Sequence, residues 1–322
     1  MKRGLSPEFA KQLEDKGGLL NKFLEVVKKD STLCLEIRNN AINVYYRGGS
    51  LFKIEDKKNG FEYAISFNKK YFMGNSHSDL PQIIKAENDV ASEWIRKVPD
   101  LKNAMDLFFG KHPKNEREFQ QLILRENNQG ALGRSTDYFI CDIEYDNREG
   151  ARFDLIAVKW PSTPKDRKNA KYLRLAFIEK KYLDGALRSA STPAKMERPG
   201  ISKHLRDMRE YLKPSTVENL KKEMKEVVNL KKKLGLINIP DEIESFSNEK
   251  PEFILLLANH DPASKILIEE LRKIDEKKLS DMPFDLKFAV SNFMGYGLFN
   301  ECIYTLSEFK ARFAKQIYSG PA

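Results

Sequence analysis

Two apolar runs with charges set inside them constrain this chain more than any other feature. Phe177-Ile178-Glu179-Lys180-Lys181 and Arg152-Phe153-Asp154-Leu155-Ile156-Ala157-Val158 both have the β-branched and aromatic character of strands. Side chains on a strand alternate between faces, so Glu179 and Lys181 project to the same side. Asp154 interrupts the other run in the same manner. Two carboxylates and one lysine, each embedded in apolar β-type sequence, make poor solvent decoration and a good cation site.

The residue types suit phosphodiester hydrolysis. Mg²⁺, or Mn²⁺, takes oxygen ligands and keeps several waters, so two carboxylates leave room for a phosphate oxygen and a water. The ion polarises phosphorus and acidifies the water. A lysine alongside orients that water, assists its deprotonation or neutralises developing charge. The competing explanation is ordinary: Glu-Lys-Lys is frequent in a chain that is 32% charged, and charges at strand ends are often solvated. The case for a site rests on Asp154, Glu179 and Lys181 occurring together.

That trio resembles the signature of the PD-(D/E)XK, or restriction-endonuclease-like, nuclease superfamily. The pattern there is an acid on one strand, then acid-any-lysine on the next. Here these are Asp154 and Glu179-Lys180-Lys181, with Phe153 in place of the proline. The resemblance covers roughly residues 112–213 by motif, and onward to about 300 by element order. It implies an α/β core of order α-β-β-β-α-β, a mixed central sheet flanked by helices. It also implies metal-dependent cleavage of nucleic acid, DNA more than RNA, in defence or repair. Related enzymes often pair to cut both strands, so a homodimer is an open expectation.

Members of that superfamily often carry a further acid on a helix ahead of the core strands. Asn115–Leu124 has helical character, with Pro113 and Asn115 as start signals and Phe119, Leu122 and Ile123 as its apolar stripe. Glu116 borders that stripe and is the preferred third metal ligand; Glu118 is held in reserve. A first-turn glutamate favouring the helix dipole explains Glu116 equally well. Asp137–Tyr145 then reads as a strand, followed by a turn-rich Asp146–Gly150 and the strand holding Asp154, a hairpin in outline. Asp142 and Glu144 share a face of it, expected to be exposed. After the lysine strand, 201–212 reads as an amphipathic helix with Ile201, Leu205, Met208 and Leu212 inward. Lys203 and His204 are its candidates for phosphate or supporting contacts.

Charge is unevenly spread. Residues 161–235 contain 20 Lys and Arg against 9 Asp and Glu, a net of +11, whereas the whole chain carries +9. The excess lies beside the proposed site, and a polyanion is drawn to such a region with salt-sensitive affinity. Arg188, Lys195, Arg198, Lys203 and His204 are the expected nucleic-acid contacts. The lysines from Lys221 to Lys233 read as a solvated helix face. Two rival readings stay open: a nuclease-like module that grips nucleic acid without cutting, and a scaffold whose basic surface meets an acidic protein.

The N-terminal part has its own character. Residues 7–29 read as helix. Leu33–Arg38, Ala41–Tyr46, Leu51–Glu55 and Tyr63–Phe67 read as an antiparallel meander, and 80–109 returns to helix. Tyr45, Tyr46 and Arg47 have the chemistry to meet bases and phosphates, against a default structural role. The expected organisation is 1–110 as this extension and 111–322 as the core, with a basic helical insertion near 214–250. Towards the C-terminus, Phe253–Ala258 reads as a buried strand followed by a helix, and Leu286–Val290 and Gly297–Thr305 as further strands. No run reaches the length of a membrane helix, and no signal peptide is visible. The three cysteines are scattered and odd in number, which suggests a reducing, cytoplasmic setting rather than a disulfide framework.

Overall fold

The computed structural model describes residues 3–73, 80–129, 135–146, 152–168, 173–188, 190–192, 195–198, 200–259, 265–291 and 303–313. The chain divides into two compact units. Unit 1 comprises residues 1–131 and 223–243, and unit 2 comprises 132–222 and 244–322.

Unit 1 begins with helices α1 (Pro7–Glu14) and α2 (Asn21–Lys29). Ser6 caps α1 by accepting the Phe9 N–H, and Pro7 occupies the first helical position. The meander follows as β1 (Leu33–Ile37), β2 (Ala41–Tyr46), β3 (Gly49–Asp56), β4 (Tyr63–Ser66) and β5 (Ile83–Ile84), antiparallel throughout and paired in sequence order. The β2–β3 connection is Arg47-Gly48, both at positive φ (47° and 72°), as a two-residue hairpin matched to strand twist requires. Helices α3 (Val90–Lys111) and α4 (Asn115–Asn128) complete this part. Phe23, Phe52 and Trp94 pack in its core, with ring centroids 5.2 and 6.5 Å apart.

The hairpin holds α4. Gln121 is buried; its carbonyl accepts the Gly48 N–H at 2.7 Å, and its amide donates to the carbonyls of Thr32 (2.7 Å) and Tyr45 (3.2 Å). A Cβ on Gly48 would collide with the Arg117 backbone. Arg47 donates to Glu118 and Asp106, and Tyr46 to Asp106. Tyr45 is buried beneath the Arg38 guanidinium. Tyr45, Tyr46 and Arg47 are therefore occupied inside unit 1. The boundary also falls near 131 rather than 110, because these bonds group α4 with the meander.

Residues 223–243 join unit 1 as well. They include the second half of α7 (Pro214–Lys233), whose Lys231 forms a 2.8 Å ion pair with Glu36 on β1. Both side chains are almost fully buried, 2% and 1% exposed. The lysine-rich face is thus not wholly solvated, and part of the segment expected as a core insertion belongs to the N-terminal unit.

Unit 2 is built on a mixed six-stranded sheet of order β13-β12-β11-β8-β7-β6. Its strands are β6 (Tyr138–Asp146), β7 (Arg152–Lys159), β8 (Arg174–Tyr182), β11 (Glu252–Ala258), β12 (Asp285–Ser291) and β13 (Ile303–Tyr304). A short helix α5 (Pro164–Arg167) precedes β8, and a small ladder of β9 (Ala190–Thr192) and β10 (Lys195–Arg198) follows it. Helices α6 (Ile201–Tyr211), α8 (Lys265–Arg272) and α9 (Leu306–Phe313) make up the rest with the start of α7. Pairing is antiparallel from β6 to β8, parallel across β8, β11 and β12, and antiparallel again at β13. Parallel neighbours need long crossovers, which the helical segments supply. Every residue of β11 is buried, as befits a parallel strand covered on both faces.

At the sheet end where β8 and β11 begin, Glu252 is 1% exposed and matched by three donors. Tyr138 Oη lies at 2.6 Å, Lys159 Nζ at 3.0 Å and Arg174 at 3.7 Å. Burial, and next the neighbouring Glu252 charge, holds the Tyr138 hydroxyl well above its ordinary pKa. The α/β architecture and the N-terminal antiparallel sheet are as the sequence predicts. The turn expected at 147–150 and most of the strand expected at 297–305 lie outside the described residues.

Two predictions follow from the buried charges of unit 1. Lys231→Ala leaves Glu36 buried with its main counter-charge gone and should cost about 3–5 kcal/mol, whereas the apolar pair Glu36→Leu with Lys231→Met should recover most of that loss; thermal melts of the three proteins decide. Burial, helped by Glu36, raises the Cys34 thiol to about 12 from 9.0. The unfolded chain loses this proton first, so the contribution is intact below pH 9 and declines as pH rises from about 9 towards 12. Iodoacetamide at pH 8.5 should leave Cys34 unlabelled in the native protein and label it in urea, as read by mass spectrometry.

Candidate active site

The β7–β8 ladder runs regularly to Leu155↔Ile178. One residue beyond that pair, the Asp154 carboxylate takes the place of a strand carbonyl: its Oδ2 accepts the N–H of Lys180 at 2.8 Å. That N–H belongs to the peptide group joining Glu179 to Lys180. Asp154 and Glu179, 25 positions apart in sequence, are thereby fixed at adjacent points of neighbouring strands.

Glu179 and Lys181 project together, as alternation requires. Lys181 Nζ lies 3.0 Å from Glu179 Oε1, and the two side chains are only 6% and 9% exposed. His204 brings Nε2 to 3.2 Å from the same oxygen. Lys180 points the other way, is fully buried, and carries its ammonium 5.5 Å from the Tyr182 ring centre. The alternation at positions 179–181 thus separates two lysines with different surroundings.

An aromatic cluster brings His204 to the sheet. Phe153 lies 4.8 Å from Phe177, 5.3 Å from Tyr211 on α6 and 5.9 Å from Tyr145, centre to centre. With Ile201, Leu205 and Met208 buried beneath it, α6 presents one flank to β8. Beyond the site, β8 and β11 both leave the sheet through left-handed residues other than glycine, Leu183 (φ 60°) and Asn259 (φ 51°), and the Leu183 N–H bonds the Ala258 carbonyl at 3.0 Å. Strain of this kind concentrates at binding and catalytic positions.

The remaining expected residues are placed as follows. Glu116 is exposed in the first turn of α4, which belongs to unit 1. Its reserve, Glu118, is engaged by Arg47 at 2.9 Å. Arg188 makes an exposed 3.1 Å pair with Glu269, and Lys203 pairs along the helix with Asp207 at 2.8 Å. Lys195 and Arg198 lie in β10, and their side chains are outside the described residues. Asp142 is 1% exposed, contrary to the exposed face expected for it. A bulge between Ile140 and Asp142 and a left-handed Glu144 (φ 51°) break the simple alternation on which that expectation rested.

Among the described residues no group of three or more His, Cys, Asp or Glu side chains is arranged to hold a metal ion. The arrangement is a Glu179 carboxylate with a buried ammonium and an imidazole at one oxygen, and an aspartate on the neighbouring strand bonded to the adjoining main chain. Such a group binds cations weakly unless water completes the shell, and it suits a hydrated Mg²⁺ better than a dehydrated transition metal.

A double-mutant cycle on Glu179→Gln and Lys181→Met should return a coupling of about 1–3 kcal/mol in urea unfolding, since the two groups share one buried contact. A coupling near zero would mean that the pair is not formed. Searches against protein-family models, curated proteins and solved structures find no match for this chain.

Proposed function

We propose that unit 2 is a metal-dependent nuclease with a restriction-endonuclease-like core, acting on DNA in preference to RNA. The observation that carries this reading is the bond from the Lys180 N–H to Asp154, which sets an aspartate against the Glu-Lys-Lys segment of the next strand. Support also comes from the strand order. Two antiparallel steps, β6 to β7 to β8, are followed by a helical crossover and the parallel strand β11. This is the order implied by the PD-(D/E)XK resemblance. The 16 Lys and Arg against 7 Asp and Glu in residues 161–222, a net of +9 within unit 2, support a polyanionic substrate.

Asp154 and Glu179 would hold Mg²⁺ or Mn²⁺, together with waters; when bound, the ion polarises the phosphodiester and acidifies one of those waters. Lys181 orients the attacking water and offsets negative charge as it builds on the phosphate. Its ammonium is set by Glu179 and by its place on a rigid strand rather than a loop, so it keeps one orientation. His204 steadies Glu179 from the helix side.

The test is cleavage of supercoiled plasmid and of labelled single strands in millimolar Mg²⁺ or Mn²⁺. The unmutated protein should cut. Asp154→Ala and Lys181→Ala should each lose about 100-fold or more, with melting behaviour showing that they fold. A protein that binds the strands, yet leaves them whole with either ion, is a binding module and overturns the catalytic reading.

A further inference from the structure

Helix α6 has a second flank. At 100° per residue, Arg206 and Arg209 stand about 140–200° around the axis from His204. They face not the proposed site but a cleft of about 240 Å³ between α6 and the segment joining α8 to β12. Its lining combines Leu205, Ile274, Leu279 and Met282 with Arg206, Arg209, Lys273 and Lys278, against one carboxylate, Asp275. The two lysines are partly compensated, Lys273 by Glu270 at 2.6 Å and Lys278 by Asp275 at 3.4 Å. Arg206 and Arg209 are both exposed.

We propose that this cleft binds one nucleotide unit of a single-stranded nucleic acid, with a base against the apolar floor and the adjoining phosphates on Arg206 and Arg209. Two features favour that occupant. Sites for drug-sized molecules run to roughly 300–1,000 Å³, so this smaller, open cleft admits one unit of a longer chain. An apolar floor with a cationic rim matches a base joined to phosphate, and the planar guanidinium grips phosphate in a bidentate fork. The inference rests on the nuclease reading and deepens it: it places a substrate contact on the side of α6 remote from Asp154 and Glu179.

The test measures binding of a fluorescein-labelled oligothymidine to the full chain by anisotropy in EDTA, where nothing is cut, across a salt series. Arg206→Glu with Arg209→Glu should weaken binding about tenfold or more and lower the salt slope by about 1.4, the value for two phosphate contacts to a single strand. Leu279→Ser with Met282→Ser should weaken binding and leave the slope unchanged. Hydrolysis of bis(p-nitrophenyl) phosphate by the arginine variant should equal that of the unmutated protein. Unchanged oligothymidine affinity in the arginine variant overturns the proposal. So does competition by polyaspartate as effective as that by unlabelled oligothymidine, which would assign the cleft to an acidic protein. Binding lost in the arginine variant, with no hydrolysis by any form, upholds the cleft and sinks the nuclease reading alone.

Discussion

A carboxylate taken out of water inside a sheet must be met by donors, and unit 2 is organised around two that are. Glu252 and Glu179 sit on the adjacent parallel strands β11 and β8, towards opposite ends. Glu252 has its two oxygens divided between a tyrosine hydroxyl and a lysine, with Arg174 nearby. That is the arrangement of a structural charge, whose desolvation is offset from several sides. Glu179 is matched differently: Lys181 and His204 both stand at Oε1. It also lies towards the carboxyl ends of the parallel strands, where open α/β sheets bind their ligands. Similar burial thus serves architecture at one end of the sheet and a candidate reaction centre at the other.

The placement of α6 follows from the same strands. Phe153 and Phe177 belong to β7 and β8, close in sequence to the charged residues on each; their rings meet, and that of Phe153 receives Tyr211. The packing that seats the helix and the polar contacts that define the site are therefore interleaved along two short stretches of chain. A helix fixed this firmly can present a different chemistry on each flank, with an imidazole directed to the sheet and a pair of guanidinium groups to the cleft.

Much of this was readable from residue order, and the gaps have physical causes. Alternation in Phe177–Lys181 set Glu179 and Lys181 on one side, and the apolar run through Val158 put Asp154 on the neighbouring strand. The helix from Ile201 was visible in its Leu205–Met208 stripe. Asp142 was misjudged because a bulge adds a residue that no periodicity announces. The affiliation of α4 was hidden because the docking group is Gln121, a polar side chain that satisfies main-chain groups of the meander. Lys231 looked solvated among its lysine neighbours, since its counter-charge, Glu36, is remote in sequence. Residue order shows which flank of α6 carries Arg206 and Arg209, but not the segment opposite, which is remote in sequence.

The separation of Glu36 from Lys231 by 195 positions also bears on how the protein is made. Ribosomes add about 5–20 residues per second, so roughly 10–40 s pass between emergence of the glutamate and of its partner. In that interval the meander has its strands but lacks the cation that neutralises its most deeply placed charge, while β6, β7 and β8 have already been translated. Unit 1 is therefore completed only after β6, β7 and β8 of unit 2 have been translated.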